Sequence, residues 1–320
     1  MSDGTVPQQY WNALLGITTK AVADYNDAQT QQPAPAQPGP LSDESRKWLE
    51  SAMREMVDST DPSKILDGVM GGLLRYASTS ELEEKDCDEV TDLALRLEDL
   101  LQYADLAGKF YRLGGFEIIT RLLNYTEYPQ LRSAGCQMLI TMCENNPKAQ
   151  DLVIAHELFP HIFDLLCDTQ QNSTFRYKLL GSVSAIVRSH APAFDAFFGI
   201  NGHTRMRNVA VSEENEERVC HKAARVLASI AYTYRDDPKR RNALKETLAE
   251  IYVILSERRD DDTSELSYVR EFLATDVLSR EVKDSTRAAL LKALTNEQKK
   301  QFDDERQQQL IAILLQKFSK

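Results

Sequence analysis

A pattern of apolar residues returns at a nearly fixed interval and limits this chain to few architectures. Similar segments begin at residues 131, 175 and 219, a step of 44, and a further copy begins at Glu89, 42 residues earlier. When the four copies are aligned, three aligned positions, which we call columns, stay apolar or small. In each copy the second column lies four residues after the first, and the third lies three residues after the second. The columns are Leu93, Gly135, Leu179, Ala223; Leu97, Leu139, Val183, Leu227; and Leu100, Met142, Ile186, Ile230. This spacing places each copy's three residues on one stripe of a long amphipathic α-helix.

Each predicted long helix is followed by a polar break and then by shorter helical patterns. A proline follows the break in three copies, at Pro147, Pro192 and Pro238. Weak self-matches arise by chance in helical proteins, but the agreement of columns and breaks over four copies favours a true repeat. A period of 42 to 44 residues is typical of armadillo and HEAT units, which bury a face only by stacking on neighbours. The sequence therefore predicts an all-α, armadillo/HEAT-like helical-repeat solenoid.

The predicted repeats do not fill the chain. Residues 1–40 include a Pro-rich stretch with too little apolar surface to fold, so we expect a disordered segment and linker there. We assign residues 41–85 to N-terminal capping helices, residues 86–258 to about four repeats, and residues 259–320 to a C-terminal helical cap or tail. The third copy is polar over residues 199–217, where its neighbours are apolar, so we expect that unit to be shortened or loosely packed.

The charge of the chain narrows its partners. The formal net charge is -11 and the isoelectric point is about 5.1, so the chain as a whole repels nucleic acid. No apolar run approaches the roughly 20 residues that span a bilayer, and no secretory signal pattern opens the chain. We expect no nucleic-acid or membrane partner, and a cytoplasmic location with the nucleus as the alternative.

Residues that could support catalysis or metal binding are sparse. The five cysteines contain no CxxC pair and mostly lie in apolar helical patterns, which predicts buried, reduced thiols. His156 and His161 are five residues apart, which does not place two ligands on one helix face. The glycine-rich stretch at residues 68–76 lacks a phosphate-loop pattern. We therefore expect a binding scaffold, neither an enzyme nor a metal protein, with no cofactor.

Three segments resemble one family of chaperone regulators. They read "LSDESRKWLESAM", "LRLEDLLQYADLAGKFYRLGGFEIITRLL" and "LRSAGCQMLITMCENNPKAQDLV", and they are similar to the Hsp70-binding-protein (Fes-type) nucleotide exchange factors. The likeness covers roughly residues 8–245, and "WNALLGITTKA" followed by the Pro-rich linker matches the family's order of parts. The polar second half of the third repeat and the tail after residue 260 depart from the family.

The resemblance implies a co-chaperone that embraces the Hsp70 ATPase domain with its concave face, so that ADP leaves and ATP enters. The expected contact residues lie beside the buried stripe: Leu95, Asp99, Gln137, Thr141, Lys178, Gly181, Ala185, Lys222, Arg225 and Ser229. Lys222 falls where the family tends to place a basic residue facing the chaperone. Ordinary solvated helix positions are the alternative interpretation of Lys178 and Lys222.

The segment "QQYWNALLGITTKA", residues 8–21, has a composition that Hsp70 substrate grooves accept, because it is apolar and lacks acidic residues. In the resembled family the corresponding segment is a release domain that occupies the substrate-binding domain. We expect Trp11, Leu14, Leu15 and Ile17 to act here, and an amphipathic helix docked on the core is the alternative. The alternative for the whole chain is an armadillo adaptor that binds another protein or peptide in its groove.

Overall fold

A computed structural model of the chain describes residues 43–77, 82–234, 236–258, 264–275, 282–299 and 304–319. The chain divides into two units, Met1–Val57 and Asp58–Lys320. The first described helix, α1 (Asp43–Thr60), carries a 72% exposed Trp48 side chain. The release segment that the sequence predicts, with Trp11, Leu14, Leu15 and Ile17, lies outside the described residues.

The unit Asp58–Lys320 begins with a helix pair, α2 (Pro62–Ala77) and α3 (Glu84–Leu101), and a short 3-10 turn, Ala104–Leu106. Three-helix repeats follow in the described residues. Repeat 1 holds α4 (Ala107–Arg112), α5 (Gly115–Asn124) and α6 (Pro129–Cys143); repeat 2 holds α7 (Pro147–Ile154), α8 (Leu158–Cys167) and α9 (Ser173–Val187). Repeat 3 holds α10 (Ala191–Gly199), α11 (Gly202–Val211) and α12 (Glu217–Thr233); repeat 4 holds α13 (Pro238–Ala243), α14 (Lys245–Arg258) and α15 (Ser264–Thr275). A closing pair, α16 (Asp284–Gln298) and α17 (Glu305–Phe318), completes this unit.

The third helices of successive repeats pack on one another. α3 packs on α6, α6 on α9, α9 on α12, α12 on α15, and α15 on α17. The second helices form another layer, in which α8 packs on α11, α11 on α14, and α14 on α16. The second helix also packs on the third helix of its own repeat, as α5 does on α6 and α11 on α12. Because helices pack both within and between repeats, the buried residues form a core cluster that runs from Leu66 to Phe318.

The buried stripe that the repeat predicts is confirmed. All the column residues are buried except Leu93, which is half-buried against the core cluster. Gly135 stands in the first column because a side-chain carbon at that point would lie 3.2 Å from Cβ of Leu122 on α5. Each fully buried leucine or isoleucine contributes about 1.5–3 kcal/mol relative to exposure, so the stripe is a principal source of stability.

Polar caps and prolines separate the helices. Pro147, Pro192 and Pro238 each lie at the start of the helix that follows a long helix. Proline is favoured there because the first turn of a helix leaves its backbone N–H groups without intrahelical partners. Just before Pro147, the Asn146 side chain accepts a hydrogen bond from the Ala149 backbone N–H at 3.3 Å, which caps α7. The recurrent proline therefore begins a helix as well as marking the break.

Two buried arginines, Arg132 and Arg176, join successive repeats. They lie 44 residues apart in the first turns of α6 and α9. Arg132 donates from Nε to the Leu123 carbonyl oxygen at 2.8 Å, and from Nη2 to Gln171 Oε1 of the next repeat at 2.6 Å. Arg176 makes the equivalent pair of bonds, to the last turn of α8 and to the loop before α12. Each guanidinium thus caps a helix of its own repeat and binds the loop of the next.

The third repeat is neither shortened nor loosely packed, and that expectation is wrong. Its second helix, α11, has ten residues, as α5 and α8 do. Met206, Val209 and Ala210 are buried, and the polar residues between them point away from the core. Arg207, for example, pairs with Glu250 of repeat 4 at 2.5 Å. Counting polar residues without their helical phase led to the wrong expectation, because a few well-spaced apolar residues suffice to anchor a short helix.

Candidate functional site

The ten contact residues predicted from the sequence lie on four helices that pack side by side. Leu95 and Asp99 lie on α3, Gln137 and Thr141 on α6, Lys178, Gly181 and Ala185 on α9, and Lys222, Arg225 and Ser229 on α12. All ten are exposed or half-buried. We call these positions the long-helix face. Their exposure follows from helical phase, because they stand beside the buried columns rather than in them.

The part of the long-helix face on α3, α6 and α9 carries both signs of charge. The Lys178 ammonium donates a hydrogen bond to Ser133 Oγ on α6. Burial is the main cause that raises the pKa of Glu98, and the neighbouring Asp99 carboxylate raises it further. The Lys178 ammonium opposes this rise. Side chains from three successive helices therefore influence one another here.

A cleft of about 430 Å³ lies along α12, between α9 and α15. Three of the predicted residues, Lys222, Arg225 and Ser229, line it. The rest of its lining comes from α9, α12, the residue after α9, and α15: Ser184, Arg188, Val226, Ala228, Tyr232, Glu271 and Phe272. We call it the α12–α15 cleft. It brings together basic groups, one carboxylate and a half-exposed tyrosine over apolar side chains.

Cations dominate the α12–α15 cleft. The Lys222 ammonium lies 4.9 Å from the centre of the Tyr177 ring, within the range of a cation–π contact. Burial is the main cause that lowers the pKa of Lys222, and the nearby Arg225 guanidinium lowers it further. Arg188 Nη1 donates to Ser229 Oγ at 3.5 Å, so a third cation adjoins the same cleft. In a chain of net charge -11, this is a local reversal of sign.

A second, smaller cleft of about 260 Å³ lies between α6 and α9. Gly181 and Ala185 line it together with Ile140, and Lys222 lines both this cleft and the α12–α15 cleft. A side-chain carbon at Gly181 would lie 3.1 Å from the Ile140 side chain, so glycine keeps this part of the face open. Lys222 therefore stands where the two clefts meet.

Sequence reasoning missed seven residues of the α12–α15 cleft: Ser184, Arg188, Val226, Ala228, Tyr232, Glu271 and Phe272. The last two lie on α15, which packs on α12 as each long helix packs on its predecessor. A signal for α15 does exist, because Val269 and Leu273 are buried and continue the first two columns at a step of 46 residues. This signal is weak for two reasons. The step of 46 residues differs from the earlier step of 44, and position 276, where the third column would continue, is an aspartate. The domain limits expected from the sequence stay predictions.

The described residues offer little for catalysis. Within the described ranges, no three His, Cys, Asp or Glu side chains could hold a metal ion together. His156 Nδ1 accepts a hydrogen bond from the Leu158 backbone at 3.0 Å, and His161 Nε2 lies 3.2 Å from Asn124 Oδ1. Burial raises the pKa of the Cys136 thiol to about 12, which keeps it protonated and unreactive at neutral pH. Among the helices that the structure describes, none has the length and apolar run needed to cross a membrane.

Solved structures of similar fold place the chain in one class. A designed armadillo repeat protein in complex with the peptide (KR)4 superimposes with a TM-score of 0.56 and 14% identity, covering 77% of this chain and 98% of its own. Computationally designed armadillo repeat proteins for modular peptide recognition give a TM-score of 0.55 with 13% identity, covering 77% and 98%. At these identities the likeness shows the fold alone. The protein is thus an all-α, armadillo-like helical-repeat protein, and the predicted fold class is confirmed.

Curated proteins give the more particular likeness. The chain is 27% identical over 196 residues to Hsp70-binding protein 1 of Mus musculus, covering 59% of this chain and 52% of that protein. It is 25% identical over 193 residues to Hsp70-binding protein 1 of Homo sapiens, with the same coverage. The chain spans about half the length of the curated relatives it matches. No model of a known protein family matches the sequence. The resemblance seen in the sequence is confirmed as a weak but consistent similarity.

Proposed function

We propose that this chain is a co-chaperone that binds the ATPase domain of an Hsp70 through the long-helix face and promotes the release of ADP. The similarity to Hsp70-binding protein 1 over 59% of the chain carries this proposal. The exposure of all ten predicted contact residues on packed, successive helices supports it. The chain acts as a binding protein rather than an enzyme, in the cytoplasm.

Thermodynamic linkage gives the mechanism. A protein that binds the open form of an ATPase domain more tightly than the closed, ADP-bound form lowers the affinity for ADP by the same factor. A coupling free energy of about 3 kcal/mol would correspond to a roughly 150-fold change in affinity. A rigid face of stacked helices suits this task, because it can fit the open form of the ATPase domain better than the closed form. It needs no catalytic group to do so.

The test is the release of a fluorescent ADP analogue from a purified cytosolic Hsp70, with and without this protein. We expect saturating protein to accelerate release. Lys222→Glu should abolish binding to Hsp70 with unchanged helicity, because it puts a carboxylate where the two clefts meet. Lys148→Glu is the matched control and should behave like the wild type, since Lys148 is an exposed lysine on α7, a helix that contributes none of the ten residues of the long-helix face. No acceleration by saturating wild-type protein would defeat the proposal.

The second part of the proposal concerns residues 8–21. We place Leu14, Leu15 and Ile17 in the substrate groove of the same Hsp70, where they keep a released client from rebinding. A Pro-rich tether raises the local concentration of such a segment while the repeats hold the ATPase domain. Replacing these three residues with serine should slow client release while ADP release continues at the wild-type rate. Equal rates of client release would remove this role from the segment.

The competing candidate is an armadillo adaptor that binds an extended peptide. Such grooves use regularly spaced Trp and Asn on successive long helices, whereas the tryptophans of this chain are Trp11 and Trp48, both outside the repeats. That absence favours the Hsp70 proposal. A wild-type protein that fails to bind Hsp70 and instead binds an extended peptide with micromolar or better affinity would support the adaptor.

A further inference from the structure

The pair Lys222 and Arg225 differs from two other half-buried cations of the repeats, Arg205 and Arg240. Arg205 pairs with Asp164 at 2.6 Å, and Arg240 pairs with Asp195 at 2.6 Å, so these guanidinium groups have a carboxylate of a neighbouring repeat. No ion pair joins Lys222 or Arg225 to a carboxylate of the described residues. Two like charges thus lie close together in a partly dehydrated site, which costs free energy unless a counter-charge arrives.

Three carboxylates line clefts together with Lys222, and none of them forms an ion pair with Lys222 or Arg225. Glu271 lines the α12–α15 cleft, and its Oε1 lies 2.8 Å from Arg306 Nη2 on α17. Glu217 lines a further cleft with Lys222 and Arg225, but it is largely exposed and its Oε1 lies 3.8 Å from His221 Nε2. Glu144, which lines the cleft between α6 and α9 with Lys222, is also exposed. None of these carboxylates therefore neutralises the pair through an ion pair, and Arg188 adds a further cation to the lining of the α12–α15 cleft.

The apolar part of the cleft lies beside these cations. Val226, Ala228 and Phe272 line it, and the Tyr232 side chain beside them is 50% exposed. An incoming surface that carries a carboxylate next to an apolar side chain would meet both features at once. Aromatic residues and arginines in partly enclosed pockets are the groups that most often dominate the binding energy of interfaces.

We propose that the α12–α15 cleft receives an aspartate or glutamate side chain of the Hsp70 ATPase domain, with an apolar neighbour seated against Tyr232 and Phe272. This inference rests on the proposed function and extends it in two ways. It gives the chemistry of the partner's contact as an acidic residue beside an apolar one. It also brings α15 into the binding surface, although the resemblance seen in the sequence ends near residue 245.

The experiment measures the affinity of the full chain for purified cytosolic Hsp70 at low and high salt, for the wild type and three variants. Arg225→Gln removes a cation and should weaken binding about tenfold and flatten its salt dependence. Glu271→Gln removes the carboxylate of the cleft and should tighten binding about threefold, because the substitution removes a negative charge that repels the incoming acidic side chain. Lys148→Gln, the matched loss of a positive charge on α7, should leave affinity unchanged. Circular dichroism and thermal unfolding establish that each variant is folded.

The outcomes separate this inference from the proposed function. If the wild type binds Hsp70 and accelerates ADP release, but Arg225→Gln has wild-type affinity and salt dependence, the cleft does not take an acidic residue and the proposed function still stands. If Arg225→Gln weakens binding but Glu271→Gln changes nothing, α15 lies outside the surface. A wild type that does not bind Hsp70 overturns both.

Discussion

His203 makes the stability of repeat 3 depend on pH. Its ring stacks on Phe198, with centroids 4.1 Å apart and planes inclined by 11°, and its Nδ1 is buried without a hydrogen-bond partner among the described residues. Burial lowers the pKa of the imidazole below its ordinary 6.5. Below that pH the unfolded chain binds the proton more readily than the folded chain does. The contribution of neutral His203 is therefore present above about pH 6.5 and is lost as the pH falls.

We predict that His203→Phe removes this dependence. Phenylalanine keeps an aromatic ring to stack on Phe198 and cannot take up a proton. The difference in unfolding free energy between the variant and the wild type should shift in favour of the variant as the pH falls from about 7.5 to about 5, measured by urea denaturation. A difference that stays constant over this range would show that His203 titrates alike in the folded and unfolded chains.

At the scale of single residues, the burial of the apolar columns and the exposure of the ten expected contact residues could be predicted, because both depend only on helical phase. Their role as contacts stays a prediction. The burial of Arg132 and Arg176 could not. From a sequence pattern, an arginine is expected at the surface. The hydrogen-bond acceptors that offset the cost of burying Arg132, the Leu123 carbonyl oxygen and Gln171 Oε1, come close to it only in the folded repeats.

Among the helices, the junctions α4–α5 and α10–α11 share one packing device. Phe110 and Phe197 each lie five residues before a glycine that begins the second helix of the repeat. A side-chain carbon added at Gly115 or Gly202 would lie 2.3 Å from the ring of that phenylalanine. The glycine therefore lets the phenylalanine ring close over the start of the helix, with the ring fully buried.

We predict that Gly202→Ala destabilises the protein by about 1–3 kcal/mol, because the Phe197 ring must leave its place in the core. The matched control is Gly199→Ala, three residues earlier on α10, where an added carbon meets no atom within 4 Å. That substitution should be neutral or stabilise by up to about 1 kcal/mol, since alanine is the better helix former. Urea denaturation of both variants measures the difference, and equal midpoints would contradict the packing argument.

It was easier to predict that a segment forms a helix than to predict that the helix belongs to a repeat. The third helix of repeat 4, α15, matches the earlier long helices in its packing on α12 but not in its spacing. Repeat 3 shows the opposite case, since its spacing is regular while its composition is polar. A period therefore identifies a repeat reliably only while both the step and the apolar columns persist.

For the whole molecule, the period of 44 residues and its apolar columns were enough to predict an all-α repeat protein, and the similar solved structures bear this out. The candidate site was predicted only in part. Lys222, Arg225 and Ser229 were named from the sequence, but the wall of the cleft that α15 supplies depends on how repeat 4 packs on repeat 3. Val226 and Phe272, 46 positions apart in the sequence, line the same cleft only because α15 packs on α12 in the folded chain.

The bonds of Arg132 and Arg176 bear on how such a chain could change length during evolution. Each arginine reaches forward to the loop of the next repeat, Arg132 to Gln171 and Arg176 to Asn215. Duplication or loss of one whole 44-residue segment leaves each of these arginines facing an equivalent loop. An insertion of a few residues between them would leave a buried guanidinium without its acceptor, at a cost of several kcal/mol. Lineages descended from this chain should therefore gain or lose entire repeats more readily than fragments of one.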